Sequence, residues 1–241
     1  MTFVENFERF AGTGERNAAG ESLEEFLQKY DAKKYDCPSN TVDMLVFRSE
    51  EAYRSFSQPL KLLMIKRKNH PSIGFWALPG GFVNLREDMA DAAARELQEE
   101  TGVTGVPLVQ LRAWGEADRD PRWRVITTSY LALVEGALPV HAGDDAADAL
   151  WFDVELKEAK EDGPAPAGDA HETREEQVYT LTLRSRERPV TLSARVERTI
   201  IKRGVLKDVR YRLLETEGIA SDHGCLIVDG LLHLKKCCEE Q

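Results

Sequence analysis

From Gly81 to Val103 the chain reads Gly81, five residues, Glu87, seven residues, then Arg95-Glu96-Leu97-Gln98-Glu99-Glu100-Thr101-Gly102-Val103. Residue types fixed at fixed spacings arise by chance in one such chain roughly once in a hundred million on uniform composition. Between Asp88 and Thr101 the apolar positions Ala90, Ala93, Ala94 and Leu97 recur at i, i+3, i+4, i+7, which predicts a helix with one buried stripe. The alanines favour that helix further. On a neighbouring face Glu96, Glu99 and Glu100 stand at i, i+3, i+4, a spacing that brings side chains within about 5–6 Å of one another.

That arrangement breaks two local rules. Like charges one turn apart repel, and carboxylates in the turn before a helix stop at Gly102 oppose the negative end of the helix dipole. A hard divalent cation removes both penalties, because Mg²⁺ prefers oxygen ligands and combines carboxylates with water and phosphate oxygens. An acidic helix face can also simply be solvated; the set spacing of Gly81 and Gly102 around these acids favours the cation. The preceding turn Leu78-Pro79-Gly80-Gly81 supplies glycines that permit a close backbone approach.

At 241 residues, 42% apolar and 31% charged, the chain suits a globular protein with a substantial core. No apolar run reaches the ~18–20 residues of a membrane span. Glu5 and Glu8 lie among Phe3, Val4 and Phe7, unlike the basic start of a secretory signal, so a cytoplasmic location is expected. Cys37, Cys225, Cys237 and Cys238 match no zinc spacing and are expected as reduced thiols without a catalytic role.

The net charge of −10 argues against general nucleic-acid affinity, but it is unevenly spread. Glu155 to Glu176 carries eight acidic and three basic residues, whereas Arg184 to Arg212 carries ten basic and three acidic ones. Such a basic stretch, 184–212, either neutralises phosphates or forms the solvated face of strands.

Glu21 to Tyr30 is predicted as a short helix capped by Ser22. Thr41–Arg48, Leu60–Arg67, Leu108–Trp114 and Arg124–Val134 are predicted strands, with Ala149–Phe152 a short edge strand. The first contains Asp43 among apolar neighbours. Ser49–Pro59, Gly115–Trp123 and His141–Asp148 are predicted loops, and Asp162–Thr173 a flexible stretch rich in Gly and Pro. Gln177–Arg184, Val190–Glu197 and Val209–Glu215 read as further strands, and Asp222–Lys236 as a closing helix. Strands mixed with a central helix point to an α/β/α sandwich.

The segment from Gly81 to Val103 resembles the Nudix box, without a gap or substitution. The resemblance implies a Mg²⁺-dependent hydrolase of diphosphates linked to a nucleoside, with Mn²⁺ as an alternative cation. It implies an ion pair between Glu87 and Arg95 that braces the loop on the helix, with Arg95 orienting the ligands. It also implies metal ligation by Glu96, Glu99 and Glu100 and by the Gly80 carbonyl. Phe75–Val83, Leu108–Leu111, Arg119–Arg122 and Ser129–Leu133 are similar to the branch holding ADP-ribose pyrophosphatases, bifunctional NAD-biosynthetic enzymes and related NAD-metabolism regulators.

In that branch a Trp-Phe strand leads shortly into an Ala-Phe-Asp-His helix start. Here Trp151-Phe152 and Ala220-Ser221-Asp222-His223 are more than sixty residues apart, and Ser221 replaces the aromatic. The expected organisation is a helical extension over 1–40, a Nudix domain of mixed sheet over 41–154, a β-rich inserted lobe over 155–218 and a closing helix over 219–241. Exposed lobe strands suit a homodimer.

Arg119-Asp120-Pro121-Arg122 holds two guanidinium groups on a Pro-stiffened loop, suited to paired hydrogen bonds with phosphate or ribose oxygens; ion pairing with Asp118 and Asp120 is the structural reading. Arg67, ending a strand before the box, is a further phosphate contact. The general base stays open among the box glutamates and Glu116, Asp118, Asp144, Asp145 and Asp148. The expected partner is a nucleoside diphosphate-linked small molecule, ADP-ribose foremost, cleaved to AMP and ribose 5-phosphate. The alternatives are a DNA-binding regulator using 184–212 and a non-catalytic interaction protein.

Overall fold

The run Val42 to Phe47 is apolar at every position except Asp43, the pattern of a strand covered on both faces. In the computed structural model, which describes residues 3–4, 6–143, 146–159 and 172–240, this run lies in β1 (Ser39–Ser49). β1 pairs in parallel with β6 (Val125–Glu135) and antiparallel with β2 (Lys61–Arg67) and β4 (Gly80–Phe82). β3 (Trp76–Ala77) pairs with β2, and β5 (Val109–Trp114) with β6. On the other side follow β7 (Ala146–Ala159), β8 (Glu172–Ser185), β9 (Thr191–Arg203) and β10 (Leu206–Glu217), giving the order β10-β9-β8-β7-β2-β1-β6-β5 in one ten-stranded mixed sheet.

The period of two along each strand then sorts the core. Val42, Met44, Val46 and Leu63 join Ala92, Ala93 and Leu97 of α2 (Met89–Thr101). Leu45, Phe47, Leu62 and Met64 join Leu226, Ile227 and Leu231 of α3 (His223–Glu239) on the opposite face. The two helices sandwich the sheet, as the α/β/α expectation requires. Each large apolar side chain fully buried here, such as Phe47, Phe152, Leu181 and Leu183, contributes about 1.5–3 kcal/mol.

The residues expected as an inserted lobe supply β8 to β10 and continue the same sheet outward from β7. Their inward residues Leu181, Leu183, Leu192, Ala194 and Val196 belong to the cluster that buries α3. The fit is close enough that a Cβ at Gly224 would sit 2.9 Å from Ala194 Cβ. The two outer strands also converge, because Arg112 of β5 donates to the Val209 carbonyl of β10 at 3.2 Å from both Nη atoms.

Three expectations need correction. The buried stripe of α2 is Ala92, Ala93, Leu97 and Thr101, with Ala90 and Ala94 exposed. Alanine tolerates either side, and the phase is set by Leu97 and the partly buried Met89. Trp151-Phe152 do not lie on an edge strand: β8 covers the outer side of β7, so the strand is interior and 14 residues long. Of the flexible stretch 162–173, residues 162–171 lie outside the described residues, while Glu172 and Thr173 already pair with Arg203 and Lys202 in the ladder.

Met1–Cys37 forms a separate unit from Pro38–Gln241. Its helix α1 (Leu23–Lys29) is only seven residues and buries none of them, so local capping carries it. The Ser22 hydroxyl accepts from Glu25 N–H and the Glu25 carboxylate accepts from Ser22 N–H, a reciprocal capping box. Among the described residues no helix is long and apolar enough to cross a membrane.

Candidate active site

Helix α2 begins after Asp88 and stops at Gly102, whose φ of 72° is left-handed backbone that glycine adopts without strain. The last carbonyls of α2 are met by the β6–β7 loop: His141 N–H donates to Thr101 O and Gly143 N–H to Glu100 O, both at 2.9 Å. A side chain at 143 is excluded, since its Cβ would lie 1.7 Å from Glu99 O. Thus the acidic end of α2 is anchored to the sheet by loops on both sides. Its glutamates project beside the turn that joins β3 to β4.

Arg95 occupies the centre of the acidic face. Its Nε and Nη2 donate to the two Glu87 oxygens at 2.7 and 2.8 Å, and Nη2 also reaches the Phe82 carbonyl at 3.0 Å. Nη1 bridges Glu96 at 2.7 Å and Glu99 at 3.0 Å. The Glu87 carboxyl is held down to about 2, first by Arg95 and then by the Asn84 N–H, while Arg95 is held firmly protonated by its acidic neighbours.

Glu100 is a half-buried acid of the group. It accepts the Gly80 N–H at 2.8 Å, yet burial, with the charges of Glu96 and Asp43, pushes its carboxyl up to about 8. Gly80 and Gly81 have no space for side chains. A Cβ at Gly80 would stand 2.2 Å from Val42 O, and one at Gly81 would stand 2.3 Å from the Glu96 carboxyl carbon.

These residues open onto a cleft of about 430 Å³. Glu96, Glu100 and Arg95 of α2 line it, with Gly80 and Gly81, Arg67 at the end of β2, and Arg119 and Arg122 of the β5–β6 loop. Glu99 does not line it and keeps more than half its side chain exposed, at 58%. Arg119 is committed by a bidentate pair to Asp222 at 2.9 Å, its side chain only 6% exposed. Its partner is therefore at the head of α3 instead of within its own loop, where the alternative, structural reading of the sequence had Asp118 or Asp120. Arg122 does pair with Asp120, at 3.0 and 2.7 Å, and lies over the Phe82 ring. Arg67 Nε donates to the Pro71 carbonyl at 2.7 Å.

Of the acids considered as a base, Glu116, Asp118 and Asp148 do not line the cleft. Asp148 is paired with Arg188. Asp144 and Asp145 lie outside the described residues.

Two lining residues escaped the sequence reading of the site. Asp43 and His223 are both 8% exposed. His223 Nδ1 accepts the Leu78 N–H at 2.9 Å, which leaves Nε2 facing Asp43 Oδ1 at 3.8 Å; Asp43 Oδ2 accepts from the Thr127 hydroxyl at 2.6 Å. The chain from Asp43 through His223 to Leu78 fixes the turn that presents Gly80. An acid at a strand position otherwise filled by apolar residues was the available signal.

The donors fit a hard cation in chemistry, being carboxylate oxygens; burial, and then the charges of Glu96 and Asp43, raises Glu100. Among the described residues no three acids, histidines or cysteines already stand at metal-ligand spacing. Arg95 bridges Glu96 and Glu99 in the way a cation would. We expect Gly81→Ala to leave the fold intact, because the obstructing atoms are the flexible end of Glu96, but to move that carboxylate and cut turnover about tenfold or more. Steady-state kinetics beside a thermal melt check this; full activity would show that Glu96 need not sit where it does.

Residues 39–174 match the family model described as the NUDIX domain. The chain belongs to the NUDIX domain family. Over 115 residues this Nudix chain is 39% identical to the ADPR responsive transcriptional repressor NtrR of Acinetobacter baylyi, a match covering 47% of this chain and 44% of the repressor. The chain thus spans less than half the length of that relative. It is also 39% identical over 133 residues to the ADP-ribose pyrophosphatase of Methanocaldococcus jannaschii, covering 53% of this chain and 71% of that one. Its architecture, including the outer strands, is similar to the crystal structure of a MutT/nudix family protein from Enterococcus faecalis. That match has a TM-score of 0.62 and 31% identity, over 98% of this chain and 76% of the other.

Proposed function

We propose that this Nudix chain hydrolyses the diphosphate of a nucleoside diphosphate-linked metabolite, with ADP-ribose giving AMP and ribose 5-phosphate. The observation that carries the reading is the half-buried Glu100, tied to Gly80 N–H and crowded by Glu96 and Asp43 at one wall of the cleft. Glu96, Glu99, Glu100 and the Gly80 carbonyl would hold a divalent cation, Mg²⁺ or Mn²⁺, which would supply charge neutralisation on the diphosphate and a more acidic water. Arg95 holds the carboxylates in register through Glu87. Arg67 and Arg122, which also line the cleft, have donors beyond those used internally and orient the phosphate and ribose oxygens. Arg119, locked to Asp222, chiefly fixes the loop that presents Arg122.

The name of the Methanocaldococcus relative supports ADP-ribose as the first substrate to try. A hydrolysis screen with and without Mg²⁺ across ADP-ribose, NADH, nucleotide sugars and nucleoside triphosphates tests it. We expect ADP-ribose to be consumed fastest, and only with the cation; consumption of triphosphates alone would refute the substrate.

The Acinetobacter relative favours a second reading, an ADP-ribose-responsive regulator of DNA. Against it, the basic strands are neutralised from within the sheet. Arg184 pairs with Glu155, Lys202 with Glu175, Arg203 with Glu172 and Arg212 with Glu197, at 2.7–2.9 Å. Cross-strand partners of this kind belong to a solvated sheet face and leave few cations for phosphates. We expect weak retention on random duplex DNA at low salt; strong retention that falls steeply with salt would favour the regulator. The expected homodimer would use β10, which ends the sheet on one side.

A further inference from the structure

Where β5, β9 and β10 meet α3, a second cleft of about 280 Å³ opens, sharing no lining residue with the first. Its walls bring Arg112 of β5, Arg198 of β9 and Tyr211 of β10 to Asp229, His233 and Lys236 of α3. Three permanent cations therefore face one carboxylate. Asp208, an acid whose field also reaches Arg112, is taken by Arg210 at 3.0 Å.

The cations are held in place from behind. Arg112 donates to the Val209 carbonyl and lies 4.8 Å from the Trp114 ring centroid and 5.7 Å from that of Tyr211. Its Nη1 stays 3.9 Å from Asp229 Oδ1, too long for a tight pair. Arg198 uses Nη1 on Gln177 at 2.7 Å and also hydrogen-bonds the Tyr179 and Tyr211 hydroxyls, while its buried Nε has no hydrogen-bond partner among the described residues. Lys236, mostly exposed at 71%, pairs with Glu240 at 3.4 Å. His233 Nε2 meets the Cys237 sulfur at 3.5 Å.

A purely structural polar joint would match its donors with acceptors, because a buried donor without one is costly. Here three permanent cations among the lining residues meet one lining acid, itself half-buried. Burial raises the Asp229 carboxyl, while the Tyr211 hydroxyl, Arg112, His233 and Arg198 oppose that rise.

We infer that this cleft is a second ligand site, taking a small phosphomonoester with neighbouring hydroxyls, the chemistry of a sugar phosphate. Arg112, Arg198 and Lys236 receive the phosphate, for which guanidinium forks are matched in shape. Asp229 accepts from a hydroxyl. The volume admits a sugar phosphate and is below the usual range for larger ligands. A bound phosphate would tie the two converging ends of the sheet to α3.

The test is calorimetric titration of the full chain, with a chelator present, using ribose 5-phosphate, ribose and inorganic phosphate as probes. Saturable binding of ribose 5-phosphate is expected, persisting in Glu100→Gln and weakened at least about tenfold in Arg198→Gln and in Lys236→Glu. Lys236 is exposed, so its variant should fold even if the other does not. Unchanged affinity in both cleft variants, loss of binding in a folded Glu100→Gln chain, or no saturable binding by the wild type would overturn the site. Inorganic phosphate binding as tightly as ribose 5-phosphate would overturn the role given to Asp229.

Discussion

Glu100→Gln should lower kcat for ADP-ribose about a hundredfold to a thousandfold, the scale on which removing one electrostatic group from a reaction site is felt. Gln keeps an oxygen that can accept the Gly80 N–H, now at 2.8 Å from the carboxylate, so the turn between β3 and β4 should hold. It also removes an acid that burial and the charges of Glu96 and Asp43 disfavour. The variant should therefore be at least as heat-stable as the parent without metal, and should lose the rise in melting temperature that a divalent cation gives the parent. Loss of activity through unfolding would show as a lower melting temperature, the opposite sign. A folded variant with near-normal turnover would remove Glu100 from the chemistry.

The second large effect falls on stability. Asp222→Ala should cost about 3–5 kcal/mol, because it strands a guanidinium inside the protein. Arg119 is 6% exposed and spends two donors on Asp222 at 2.9 Å each. The pair joins the β5–β6 loop to the head of α3, reinforced by Ser221, whose hydroxyl donates to the Arg119 carbonyl at 2.9 Å. Replacing both partners by apolar residues, Arg119→Met with Asp222→Leu, should recover most of the loss, since the uncompensated charge goes with it. Denaturant unfolding of the single and double variants measures this. A cost for Asp222→Ala below about 1 kcal/mol, the worth of an exposed pair, would show that Arg119 is not locked in this way.

Much of this arrangement could be read from residue order. Glu87 and Arg95 meet as the resemblance to the Nudix box implied, and α2 ends at Gly102, where a glycine stop was expected. The sandwich follows from strands apolar on both faces. What could not be read arises from contacts between distant residues. Nothing local tells that Asp222, and not Asp118 or Asp120, receives Arg119, since that pairing spans the whole of β6 to β10. The same distance hid His223, which supports the Leu78 turn from 145 positions away. The phase of α2 was misjudged because alanine fits both the interior and the surface, so the stripe had to be set by Met89 and Leu97. The depth of β7 depended on a later strand covering it. The basic stretch read as ambiguous because charge alone does not reveal that its partners lie across the ladder.

Mn²⁺ titrated into the full chain, followed by calorimetry or by the resonance of the free ion, addresses the claim that the clustered glutamates exist to hold a cation. The account predicts saturable binding by the parent, with affinity reduced at least about tenfold in Glu96→Gln and in Glu100→Gln. Equal affinity in the parent and both folded variants would contradict it.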